Sequence, residues 1–165
     1  MPSESPRPSA PAHAPARLDL THEAVLDAAP EAVFPLLCPV REYDWIPSWA
    51  CGLVHSASGL AEPDCVFVTE FPDRGREVWT CSRFDPPARI EYVRMGPGRV
   101  TRLEIRLAPE GPGTRIRWRQ VITALDAAEA EAVEEYGRTR YPEDIRALVR
   151  MLAHHLATGG CLGRD

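Results

Sequence analysis

Four side chains could together hold the polar end of a small molecule: Trp79, Arg94, Thr101 and Gln120. An indole, a guanidinium, a hydroxyl and an amide projecting from neighbouring strands would offer an anchor for a carboxylate, phenol or carbonyl. Turn signals bring them into one row. "DPPA" at 85–88 sets position 79 opposite 94 and 81 opposite 92. Pro97-Gly98 sets 94 opposite 101, 92 opposite 103 and 90 opposite 105. Glu110-Gly111 sets 105 opposite 116, 103 opposite 118 and 101 opposite 120. The adjacent inward row is Cys81, Tyr92, Leu103 and Trp118, apolar and aromatic, with a tyrosine hydroxyl that needs a partner. Trp79 facing Arg94 permits a cation–π contact. A plainer alternative stands beside the anchor. Arg94 and Thr101 lie near a turn, where an inward direction can mean solvent at the sheet's mouth, and Glu77 could pair diagonally with Arg94 as a structural ion pair.

Trp45 and Trp49 flank Pro47, two of the four tryptophans within five residues. They read either as a core plug or as the rim of a pocket. Phe67 and Tyr136 complete the candidate ligand contacts. For acid–base chemistry the candidates are Tyr92, Glu77 and Arg94, the last as a donor to an enolate.

Other chemistries lack their residues. His154 and His155 are adjacent and so on different helical faces, and no HxxxH or HxH occurs, so no metal site is expected. There is no GxSxG, phosphate loop or dinucleotide fingerprint, and no cofactor is implied. All 19 basic residues are Arg, which excludes Schiff-base chemistry on lysine. A net charge of -5 argues against general nucleic-acid binding. Five cysteines without a CxxC read as reduced, mostly buried thiols. No apolar run approaches the ~20 residues of a membrane span, and the N-terminus lacks an apolar signal core, so a cytoplasmic protein is expected.

The elements that must position these residues follow from turn signals and periodicity. Residues 1–17 carry five prolines and almost no large apolar side chain, which predicts a disordered Pro/Ala-rich tail. Residues 159–165 are expected to fray. Between them lies one domain, 18–158, opening with a strand over 18–27. "PEAVFPLL" and "PVREYDWI" predict two short helices. Six strands follow, over about 49–57, 64–71, 76–84, 88–95, 99–108 and 114–124. Asp126 caps a long helix to about Thr158, with a break expected near Gly137 to Pro142. In its first part Ala128, Ala132, Val133 and Tyr136 share one side, and small residues there leave volume against the sheet. In its second part Ile145, Leu148, Val149, Leu152 and Leu156 form an apolar stripe. The fold class is α+β, a curved seven-stranded antiparallel sheet wrapped around the long C-terminal helix. On its outer face, Arg102 opposite Arg119 and Arg106 opposite Arg115 would mark either a solvated face or a docking surface for an acidic partner.

"DAAPEAVFPLL", "EYDWIPSW", "FDPPARIEYVR" and "GPGTRIRWRQVIT", in this order, resemble the START-like, birch-pollen-allergen-like superfamily (SRPBCC), which includes polyketide cyclases and dehydratases. The resemblance implies a helix-grip fold with a cavity between sheet and C-terminal helix. The expected function is binding or carriage of a small hydrophobic or aromatic, polyketide- or lipid-like ligand. Two alternatives stay open: an aromatase/cyclase-type enzyme, and a protein-interaction module of the chaperone-activator kind using the outer arginines. Whether the protein forms a homodimer also stays open.

Overall fold

The computed structural model describes residues 16–163. The expected disordered tail lies outside the described residues except for its last two positions, and these are structured. Ala16 accepts a hydrogen bond from the Ala124 amide, and Arg17 opens the first strand.

In chain order the strands are β1 (Arg17–Leu26), β2 (Cys51–His55), β3 (Val66–Phe71), β4 (Gly75–Asp85), β5 (Arg89–Met95), β6 (Arg99–Glu110) and β7 (Gly113–Ala124). They form one antiparallel sheet in the order β1-β7-β6-β5-β4-β3-β2. Between β1 and β2 run α1 (Pro30–Val33), a 3-10 turn over Phe34–Leu37 and a second over Glu42–Asp44. Pro30 takes the first turn of α1, where its missing N–H costs nothing.

The C-terminal rod begins after Asp126, whose side chain accepts from the Glu129 amide as the N-cap. It runs as α2 (Ala127–Glu135), a π-helical segment Tyr136–Arg140, and α3 (Tyr141–Thr158), and it ends on left-handed Gly159. The break expected near Gly137 to Pro142 is thus a widened turn. Pro142 has no N–H to return to the preceding turn, and the Tyr141 amide bonds the Tyr136 carbonyl instead. Gly137 fits here because a Cβ would stand 2.5 Å from Cδ1 of Leu18.

Two of the three expected registers hold. Trp79 faces Arg94, Cys81 faces Tyr92, and β5–β6 pairs 94 with 101, 92 with 103 and 90 with 105. The third is shifted by two residues. Glu110 pairs with Gly113, so the turn centres on Gly111-Pro112, and 101 faces 122, 103 faces 120 and 105 faces 118. A shift of two keeps every side chain on its face but changes its partner. Gln120 therefore stands beside Leu103 instead of Thr101. On the outer face Glu104 pairs with Arg119, Arg102 with Val121 and Arg106 with Arg117. The outer arginines are largely neutralised: Arg119 by Asp19, Arg115 by Glu110, Arg106 by Glu104 and Arg117 by Glu23.

The core gathers at the base of the sheet, where Leu26, Val33, Leu37, Ile90, Ile116, Ile145 and Leu152 are fully buried. Among the described residues no helix is long and apolar enough to cross a membrane.

Candidate functional site

Above this core the helix does not pack flush on the sheet, and a cavity of about 340 Å³ remains. That lies at the small end of the ~300–1,000 Å³ typical of small-molecule sites. Its sheet wall carries Phe67, Trp79, Tyr92, Arg94, Trp118 and Gln120. Its helix wall carries Tyr136, Arg140, Asp144, Ala147, Leu148 and Met151. Glu42, Trp45, Ile46 and Trp49 close one end.

The space arises from the rotation of α3. Positions 144, 147, 148 and 151 repeat at helical spacing and face the cavity, while Tyr141, Ile145 and Leu152 form the buried core edge. The alanine at 147 leaves volume on the first of these faces. The small residues expected to do so, Ala128 and Ala132, are exposed, and Val133 packs into a separate cluster with Ile122 and Ala124.

Aromatic rings line the hollow continuously. Phe67 stacks on Trp79 at 5.2 Å, Tyr92 meets Phe67 edge-on at 5.6 Å, and Trp49 meets Trp79 edge-on at 6.4 Å. Three of the four indole N–H groups on this surface are bonded within the protein: Trp45 to the Leu36 carbonyl, Trp49 to the Pro39 carbonyl, Trp79 to Oγ1 of Thr69. Trp45 is both plug and wall, being 1% exposed; Trp49 is the half-buried rim.

Arg94 is 7% exposed, not in bulk water. Its guanidinium lies 4.9 Å from the Trp79 centroid, Nη1 is 3.5 Å from Oε2 of Glu77, and Nη2 donates to Oε1 of Gln120 at 3.3 Å. Nε has no hydrogen-bond partner. Burial lowers the guanidinium's pKa, and the Glu77 charge opposes that shift. Tyr136 approaches from the helix side; burial raises its phenol and the Arg94 charge opposes the rise. The expected ion pair with Glu77 is thus present, and of the expected row Trp79, Arg94 and Gln120 meet on one guanidinium while Thr101 does not.

The other expected contacts separate. Leu103 is on the wall with the residues above. Cys81 and Thr101, both fully buried, lie behind it. Burial pushes the Cys81 thiol up to about 12, so it is inert, and Oγ1 of Thr101 has no partner. Glu77 sits behind Arg94. The Tyr92 hydroxyl donates to the Leu37 carbonyl at 3.0 Å, and burial holds it well above the ordinary phenol range.

Sequence reasoning missed Glu42. It borders the cavity from the second 3-10 turn, and burial alone pushes its carboxyl up to about 8. The residue is only partly buried by surface, but what it opens onto includes the cavity, whose lining is largely aromatic and aliphatic. Glu42, Trp45, Ile46 and Trp49 stand at i, i+3, i+4 and i+7, but only Glu42–Asp44 is helical, so it is the path of the chain past Trp45 that brings them to the cavity. No local pattern marked Glu42 in the sequence.

The fold and the cavity lead to a family. Residues 17–156 match the family described as "Polyketide cyclase / dehydrase and lipid transport", from the start of β1 to within two residues of the end of α3. The chain belongs to that family. No curated protein matches the sequence. Among solved structures, the Mll3558 protein from Rhizobium loti is similar at 21% identity and a TM-score of 0.62, covering 86% of this chain and 99% of that one. Ara h 8.0201 is similar at 11% identity and 0.61, covering 86% and 99%. DynU16, from the dynemicin biosynthetic locus, is similar at 14% and 0.60, covering 86% of this chain and 48% of its own. At these identities the likeness is one of fold. Family and fold together support hydrophobic-ligand binding or cyclase-like activity in general terms.

Proposed function

We propose that this protein binds a small, flat, largely apolar ligand, with the polar edge of that ligand at Arg94. The observation that carries the reading is an aromatic-lined hollow with a buried guanidinium on its wall whose Nε–H is unpartnered. Burial of ligand surface at ~25 cal/mol per Å² drives association, and the orphaned donor, costly when left unsatisfied, orients the ligand. All four tryptophans line the cavity, so intrinsic fluorescence reports occupancy directly. The test is titration of a panel of aromatic ketones, phenols and acids, followed by indole fluorescence and melting temperature. A panel that moves neither defeats the reading.

A second reading, cyclase- or dehydratase-type turnover in the same cavity, is favoured by the presence of an acid on an apolar wall. Glu42 supplies that acid, and Arg94 is placed to stabilise an enolate. Here Glu42→Gln would abolish turnover of a poly-carbonyl substrate while leaving its binding in place. The docking-module alternative loses its particular support, since the outer arginines it would use are largely paired with neighbouring acids.

A further inference from the structure

The run "REYD" at 41–44 puts three charged residues into one turn, yet only one of them enters the cavity. Arg41 and Asp44 pair with each other in solvent at 2.7 Å. The Tyr43 hydroxyl accepts from the Cys51 amide and donates to the Cys51 carbonyl, which ties the turn to β2. Main-chain bonds from Ile46 and Trp45 to the Glu42 carbonyl, and from the Glu42 amide to Cys38, fix the turn from both ends. Glu42 itself makes no side-chain hydrogen bond or ion pair among the described residues.

The charges around the cavity are balanced without it. Arg94 is opposed by Glu77; Arg74 and Arg140, at the exposed end, share Asp73 at 3.8 and 2.8 Å; and Asp144 lies on the same wall. The titratable groups that feel Glu42 are Tyr92 from β5 and Cys51 from β2, and neither is a cation. A carboxylate at that position would therefore be both desolvated and unpaired, the condition under which a carboxyl keeps its proton.

We infer that Glu42 is a specificity-determining residue whose carboxyl donates a hydrogen bond to an uncharged carbonyl oxygen of the ligand, so that the cavity selects flat neutral ketones over the corresponding carboxylates. This rests on the ligand-binding reading above and adds a second polar station to it. Glu42 closes one end of the cavity, and Arg94 stands on its sheet wall. The ligand thus meets one polar group from the turn and another from the sheet. A carboxylate is disfavoured because the cations on the wall are already opposed by carboxylates, Arg94 by Glu77 and Arg74 and Arg140 by Asp73.

The experiment uses three probes with one ring system: 2-acetylnaphthalene, 2-ethylnaphthalene and 2-naphthoate. Each is titrated against the full chain between pH 6 and 9.5 by tryptophan fluorescence. The quantity of interest is the ketone-to-hydrocarbon affinity ratio, which removes ring burial common to both. For the wild type the ratio stays level at low pH and falls about tenfold as pH rises through about 8, one hydrogen bond's worth of discrimination. Glu42→Gln, whose amide still donates, keeps the ratio and makes it independent of pH. Glu42→Leu holds the ratio about tenfold below the low-pH wild-type value at every pH, so the two proteins converge above about pH 8. Naphthoate binds more weakly than the ketone throughout. A wild-type ratio that does not move with pH, a Glu42→Leu ratio equal to wild type at pH 6, or naphthoate as the tightest probe each overturns the inference. Failure of all three probes to bind instead defeats the ligand-binding reading itself, so the two failures are distinguishable. Far-ultraviolet circular dichroism on both variants excludes unfolding as the cause of any loss.

Discussion

Arg94 and Trp79 stand directly opposite one another on β5 and β4, with the guanidinium carbon 4.9 Å from the indole centroid. The stacked face, the Glu77 carboxylate at 3.5 Å and the Gln120 amide at 3.3 Å together let a charge sit at 7% exposure on an apolar wall. The pair is therefore a structural element, and under the proposed function it also anchors the ligand; mutations should separate the two roles.

Arg94→Ala should destabilise the fold by about 3–5 kcal/mol, because it leaves Glu77, 1% exposed, without its cation. Combining Arg94→Met with Glu77→Gln should recover most of that loss, while orientation of the ligand's polar edge stays lost. Urea unfolding at pH 7 measures both. An Arg94→Ala protein with the wild-type midpoint would mean that the pair is solvated.

Ala147→Phe should fill the cavity from its helix wall. Ligand affinity should drop by tenfold or more, whereas the melting temperature should hold or rise, since the new ring enters existing space. Calorimetric binding and thermal unfolding on one sample check this. Unchanged affinity would place the ligand elsewhere.

Tyr92→Phe removes the hydroxyl that donates to the Leu37 carbonyl at 3.0 Å. The cost should be about 1–2 kcal/mol of stability, the price of a buried carbonyl left alone. Affinity for an aromatic ligand should change little. A large drop in affinity at preserved stability would make this hydroxyl a ligand contact.

Stability should depend on pH through Glu42. Its carboxyl is raised from an ordinary 4.5 to about 8 in the native state. Between those values the native protein holds a proton that the unfolded chain releases, so stability falls as pH rises through this window and levels off above it. The side chain in Glu42→Gln does not titrate. Relative to wild type, the variant should therefore gain stability steadily from pH 5 to pH 8. Chemical denaturation at pH 5, 7 and 9 tests the trend, and a constant difference would refute it.

The β5 rows show what can be seen from sequence. "DPPA" and Pro97-Gly98 are short turns with strong backbone preferences, and they set Trp79–Arg94–Thr101 and Cys81–Tyr92–Leu103 correctly. The "PEGPG" turn holds two adjacent ways to close, differing by two residues. Alternation cannot distinguish them, because both leave Ile116, Trp118 and Ile122 inside. Only the folded hairpin moved Gln120 from beside Thr101 to beside Leu103, within reach of Arg94.

By itself, then, the sequence determined the order of elements, the inward face of each strand and the aromatic character of that face, since these depend on local turn chemistry and on periods of 2 and 3.6 residues. Tertiary structure alone decided that α3 turns its 144/147/148/151 face to the sheet and leaves a hollow there. It also decided that Arg94 is enclosed, and that Glu42 faces inward while Arg41 and Asp44 pair outside. Each of these is a balance of desolvation, pairing and packing among residues far apart in the chain, and no local pattern encodes that balance.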